Sequence, residues 1–296
     1  MFSLIEKRQG GNMPAKLARI AAVTATLLIS ALSIPAADGQ PADGKVRILI
    51  LSGANNHSWQ TTTPALKKMY EDSGRFTVDV TDNVPALKGE DFAKYDVLVS
   101  NYTTYPTIDG KRWPAETEKA FLDYISSGHG FALFHAASTA WNDWPEFISI
   151  IGLSWIKGKS GHGAQHPFTV NIIDREHPVT SGMKDFVHIK DELYHHQTLH
   201  PSAKILASTF SDKAMKGSGT NEPMITATEY GKGRIFHNAM GHDPKSMACT
   251  SFQTLMLRGT EWAATGKVTI KIPTSEWAEP GSEKAEELKK PDPPKK

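Results

Sequence analysis

Short apolar runs alternate along the chain with stretches of helical spacing. "VRILILS" (46–52) is β-branched and apolar, stops at Gly53, and reads as a strand buried on both faces. Pro64 suits the opening turn of a helix running to about Ser73. "RFTVDVT" (75–81) and "YDVLVSN" (95–101) predict the next two strands. In "PAETEKAFLDYISSG" (114–128), Ala120, Phe121, Tyr124 and Ile125 form one helical stripe, opened by Pro114 and stopped by Gly128. "FALFH" (131–135) is a fourth strand, and a tryptophan-rich segment follows it. Then come "FTVNIID", "AKILAST", "PMITATEY" and "GRIFHNA", the last two joined by "GKGR" (231–234), a tight hairpin signal. "SFQTLMLRGTEWAATG" (251–266) closes the pattern as an amphipathic helix ended by Gly266. Such alternation predicts an α/β fold with a mainly parallel sheet, helices on both faces and some antiparallel strands at one edge. No repeat or internal linker divides residues 45–273, so one domain is expected there.

The two ends break the pattern. Lys7, Arg8, Lys16 and Arg19 lead into the mostly apolar stretch Ile20–Ile34, and "PAADG" then supplies small residues. Residues 1–37 therefore predict an export signal peptide, with Met13 as an alternative start and a retained N-terminal anchor as the rival reading. The apolar stretch is shorter than the ~20 residues a membrane span needs. A periplasmic or secreted location is expected, with no membrane contact after cleavage. Residues 274–296 are charged and punctuated by proline, which predicts a solvated tail. Removing the four basic residues and one acidic residue of 1–37 turns a net charge of +1 into −2. With no dense Lys/Arg tract in the body, nucleic acid is excluded as an expected partner. Cys249 is the single cysteine, so no intramolecular disulfide forms.

In open α/β sheets, ligands bind outside the carboxyl ends of the strands. The loop after the first strand, "GANNHSW" (53–59), carries His57 and Trp59, and "NYTTYPT" (101–107) follows the third. His135 ends the fourth strand and opens "AASTAWNDW" (136–144). "GRIFHNA" delivers His237, and its exit loop "MGHDP" delivers His242. Imidazoles and aromatic rings are thus predicted to converge on one rim. "FVHIKDELYHH" (186–196) has two readings. A helix aligns His188, Glu192 and His195; an extended segment aligns His188, Lys190, Glu192 and Tyr194. Three imidazoles and a carboxylate would suit zinc or another divalent ion, although no tight ligand spacing marks one. No nucleophile elbow, zinc helix, dinucleotide turn or P-loop is present, and no nucleotide cofactor is expected.

Taken in order, "GANNHSW", "GHGFALFHAAS", "WNDWPEFISIIG", "HPVTSGM", "DELYHH" and "GKGRIFHNAMGHDP…WAATG" resemble the ThuA-like (trehalose utilisation) family over almost all of residues 45–266. The resemblance implies a flavodoxin-like, class I glutamine-amidotransferase-like fold. It implies no glutamine amidotransferase activity, because His135-Ala136-Ala137-Ser138 stands where amidotransferases carry a cysteine nucleophile. Ser138 is expected to cap the next turn instead. The positions matching the family's motifs are His57, His135, His162, Glu192, Tyr194 and His242, with His166 a rival for His162.

What the resemblance implies is sugar chemistry on a glycoside or keto-glycoside. An oxidised sugar has an acidic C–H beside its carbonyl, open to acid–base or metal-assisted elimination, isomerisation or hydrolysis. The expected catalytic set is His135, Glu192, His57 and His242. His135 or Glu192 would be the base, and His57 and His242 would hold a metal or polarise an oxygen. Tyr102, Trp141 and Trp144 would stack on the sugar, beside Tyr194 and His162; packing in the core is the rival reading for Trp144. The alternative function is a non-catalytic carbohydrate-binding or accessory module.

Overall fold

The structure, a computed structural model, describes residues 44–105 and 112–273. The predicted signal peptide (1–37), the predicted tail (274–296) and the end of "NYTTYPT" lie outside the described residues. The strands are β1 Val46–Leu51, β2 Phe76–Thr81, β3 Val97–Ser100, β4 Gly130–Phe134, β5 Leu153–Ser154, β6 Gly161–His162, β7 His166–Ile172, β8 Phe186–Asp191, β9 Tyr194–His195, β10 Thr198–Leu199, β11 Lys204–Phe210, β12 Asn221–Tyr230 and β13 Gly233–Asn238. The α-helices are α1 Trp59–Asp72, α2 Gly89–Phe92, α3 Ala115–Ser127, α4 Pro145–Ile151, α5 Pro244–Met247 and α6 Thr250–Thr265.

Among the described residues, nine strands form one sheet in the order β2-β1-β3-β4-β13-β12-β11-β7-β8. The first five run parallel, and counted along the chain they stand 2-1-3-4-5, the flavodoxin-like order. The other four pairings are antiparallel, so the antiparallel portion is a broad extension rather than a mere edge. One apolar core lies on each side of the sheet, as expected for strands covered on both faces. The turn Gly231–Lys232 closes the β12–β13 hairpin with Gly231 at φ 59°, as "GKGR" predicted.

Three local expectations change. Helix α1 begins at Trp59, five residues before Pro64, which sits inside it. Lying past the first turn, Pro64 supplies no amide to the Gln60 carbonyl four residues earlier, so the helix carries one missing bond there. The segment 186–196 is extended, but its alternation breaks after Asp191, so His188 and Glu192 do not share a face. Helix α6 is buried nearly all round, and the polar residues on it are tied inward. Arg258 donates to the carbonyls of Pro178, Val179 and Ser181, and Glu261 accepts from Arg75 and Thr269. Among the described residues, no helix is long and apolar enough to cross a membrane.

Candidate functional site

Four chain segments meet above the carboxyl ends of β1, β4 and β13. His57 comes from the loop after β1, and His135 is the first residue after β4. His242 lies just past β13, and Glu192 just past β8. One ligand atom from each of these four residues lies within 4.8 Å of every other. Glu192 is the centre: its Oε2 is 3.1 Å from His242 Nδ1, 3.5 Å from His135 Nε2 and 3.8 Å from His57 Nε2. The three imidazoles stand nearly perpendicular to one another, with interplanar angles of 79°, 85° and 87°. His162 approaches from outside, its Nε2 3.6 Å from the other carboxylate oxygen, Oε1. The β6–β9 ladder, which pairs His162 with Tyr194, brings it there.

Two of the three central imidazoles, His135 and His57, are oriented by a partner behind them. His135 Nδ1 donates to the carbonyl of Ala239 at 3.1 Å, leaving Nε2 as the lone-pair nitrogen facing inward. The Tyr194 hydroxyl approaches this same nitrogen at 2.9 Å, with the two rings stacked. His57 Nδ1 lies 3.3 Å from Asn55 Oδ1, which also accepts from the His57 amide. Asn55 is anchored in turn by Asn101, and Asn101 donates to Thr62 and Thr63 on α1. His135 occupies the left-handed region at φ 44°, a conformation costing about 1–3 kcal/mol that the surrounding sheet must hold. Ser138 donates to the His135 carbonyl at 2.9 Å and so caps the turn, as predicted.

Asp191 links the strand ends. Its Oδ1 accepts from the amides of Glu192 (2.8 Å) and His242 (3.1 Å). Its Oδ2 accepts from the Gly241 amide (2.7 Å) and from His188 Nε2 (2.8 Å). Burial pushes Asp191 up, but the His188 contact outweighs it and holds the carboxyl below its ordinary value. Burial likewise opposes ionisation of Glu192, yet the facing His135, His242 and His57 hold that carboxyl far below the carboxylate range. Burial lowers His57, and Glu192 only partly offsets it. His242 is also desolvated, but Glu192 raises it above the ordinary histidine value.

Several expected residues lie elsewhere. Trp141 and Trp144, expected to stack on sugar, are buried at 1% and 2% exposure. They pack with Trp113, Phe121 and Phe147 under α3 and α4, because large apolar rings gain most when no face is left in water. Tyr102 packs against Trp113 and Trp141 in the same cluster and is also buried. His237 is not at the rim; it is fully buried within the sheet opposite Thr226, and burial lowers it to about 3. His188 turns into the core, away from Glu192. His166 lies on β7 with its Nδ1 against the Ala164 carbonyl, whereas His162 contacts Glu192. Asn55, Asn101 and Asp191 escape recognition in the sequence. Two consecutive acids closing a strand, Asp191 and Glu192, were the available signal for one of them.

The comparisons with known proteins agree with this fold. The family model described as "ThuA: Trehalose utilisation" matches residues 47–263. A ThuA-like protein from Parabacteroides merdae is 36% identical, with a TM-score of 0.70 over 79% of this chain and 97% of its own. A ThuA-like protein from Bacteroides uniformis, 19% identical, has a TM-score of 0.59 over 75% of this chain and 94% of its own. A cytoplasmic protein from Salmonella typhimurium, 12% identical, shares the fold at a TM-score of 0.53 over 74% of this chain and 99% of its own. No curated protein sequence matches the chain. The family match over most of the described residues, together with a 36%-identical relative spanned almost end to end, shows that the chain belongs to the ThuA (trehalose utilisation) family.

Proposed function

We propose that the chain is a carbohydrate-active enzyme whose His57, His135, Glu192 and His242 hold a divalent cation beside a reacting sugar. The convergence of four ligand atoms within 4.8 Å of one another carries the reading. The donors fit an ion in kind, since three imidazoles and a carboxylate suit zinc or a similar metal. They also fit in orientation. His135 and His57 turn their outer nitrogens to oxygen acceptors and their inner nitrogens to the cluster, the tautomer that metal-ligating histidines adopt. His242 Nδ1 is buried and makes no aligned hydrogen bond despite lying 3.1 Å from Glu192.

An ion held there would polarise a carbonyl or hydroxyl oxygen of the sugar. The proton is then moved by a group outside the cluster. His135 is 2% exposed, with Nδ1 donating to the Ala239 carbonyl and Nε2 turned to the cluster, whereas the His162 side chain is 40% exposed beside Glu192. His162 therefore takes the acid–base role, on a glycoside or keto-glycoside whose C–H beside a carbonyl is acidic. Burial of Trp141 and Trp144 weighs against a purely sugar-binding module, which relies on exposed stacking rings. Export to the periplasm or beyond belongs to the same proposal and is supported by the basic, then apolar, leader; sequencing the N-terminus of the exported protein tests it.

Purified mature protein is stripped with chelator, then incubated with oxidised and unoxidised disaccharides, with and without added zinc or manganese. New products from the oxidised sugar only when metal is restored support the reading. Absence of product in every arm, from protein that retains no metal, refutes it.

A further inference from the structure

We infer that Asp191 is a positioning residue: it clamps the two strand-end ligands His242 and Glu192 into one geometry, so that the cation site proposed above is pre-formed. The inference rests on that reading for its ligands, but its own basis is separate. Four donors converge on one carboxylate, two on each oxygen: Glu192 and His242 amides on Oδ1, the Gly241 amide and His188 Nε2 on Oδ2. Asp191 is 1% exposed, so no water competes for these bonds.

The four donors come from two parts of the chain that share no strand pairing. Glu192 and His188 flank Asp191 at the end of β8, an outer strand of the sheet. Gly241 and His242 follow β13, and β12, β11 and β7 lie between β13 and β8 in the sheet. The sheet ladder therefore does not set the distance between Glu192 and His242; the Asp191 carboxylate bridges it. Gly241 contributes for a local reason. It sits at φ 108°, and a Cβ there would lie 2.6 Å from the Phe252 ring, so the turn that points its amide at Asp191 requires glycine. His188 closes the arrangement from the core side, fully buried with its ring against the carboxylate.

An ionised aspartate accepts only, which matches four donors; an asparagine would turn an NH2 group toward at least one of them. Loss of an outer residue that orients ligands typically weakens metal binding about 10- to 100-fold. The test has two arms. In the first, amide hydrogen exchange of the unaltered, metal-free protein is followed at Glu192, Gly241 and His242. Protection comparable to the central amides of β13 is expected; exchange at the rate of open loops overturns the clamp. In the second, cobalt(II) binding to Asp191→Asn is followed by visible absorption beside the unaltered protein. A 10- to 100-fold weaker affinity with altered d–d bands supports the positioning role, and equal affinity with an unchanged spectrum overturns it. If the unaltered protein binds no cobalt, or the variant does not fold, the exchange arm alone decides the clamp, and the cation reading stands or falls separately.

Discussion

Replacing Glu192 with glutamine removes one negative charge and no volume, and the site geometry sets the size of the effect. The carboxylate is surrounded by four imidazole nitrogens at 3.1–3.8 Å and its side chain is 10% exposed. Removing one partner from a buried charged arrangement costs about 3–5 kcal/mol. With the cation in place, that corresponds to about a 100- to 1,000-fold or greater loss of affinity, since ~1.4 kcal/mol is tenfold. In the metal-free protein the loss is far smaller. There the nearest imidazole is that of His242, whose side chain is 26% exposed, and partly solvated pairs contribute about 1 kcal/mol or less. The two effects also have opposite pH dependence. The ordinary values are 4.5 for Glu192 and 6.5 for His242, the first lowered and the second raised by folding. Glu192 thus stabilises the fold fully above 4.5 and loses its effect only as pH falls toward its depressed value. His242 stabilises fully below 6.5 and loses its effect as pH rises through its raised value. The stability gap between the two proteins is therefore widest between pH 4.5 and 6.5 and narrows in alkali. Zinc affinity moves the other way, tightening with pH as His242 gives up its proton. Chelator-competition titrations and urea melts at pH 5.5 and 8.5 measure both. A Glu192→Gln protein that binds zinc within threefold of the parent would refute the assignment of Glu192 as a ligand.

Two further outcomes are expected. Trp141→Ala empties a buried site among Trp113, Trp144 and Phe147, costing about 3–5 kcal/mol. That lowers Tm by roughly 6–20 °C in a domain of this size; an unchanged calorimetric melt with lost sugar binding would restore the stacking role. The Cys249 thiol would be pushed up by burial, but its contact with His188, aided by Ser251 and the Ile189 backbone, brings it down to about 6. Its alkylation by iodoacetamide should therefore rise with a midpoint near pH 6, and His188→Asn should move that midpoint upward. A midpoint near 9 in the unaltered protein would show that the His188 contact is not made.

Much of the fold is legible in the residues because burial imposes local periodicity. The mostly apolar runs at 46–51, 97–100 and 130–134 read as strands covered on both faces, and they form the centre of the parallel half of the sheet. Gly128, Gly231 and Gly266 end or turn their elements where the sequence places them, because each adopts a positive φ. Of the candidate site, the positions of His57, His135 and His242 past strand ends are legible for the same reason, as strand ends are set by local pattern.

Which of those strand-end residues meet is a different matter. His57, His135, Glu192 and His242 are far apart in the chain, and their distances depend on strand order, which periodicity does not encode. An imidazole one residue inside a strand, as in His237, is sealed in the sheet, while one just past the end, as in His135, reaches the rim. The same ambiguity governs the tryptophans, whose rings fit a sugar or a core equally well until neighbours are known. Local pattern thus determined most strands of the large sheet and the ends of several elements, while the order in which the sheet assembles them decided the site, because convergence is a long-range property that no short window of sequence contains.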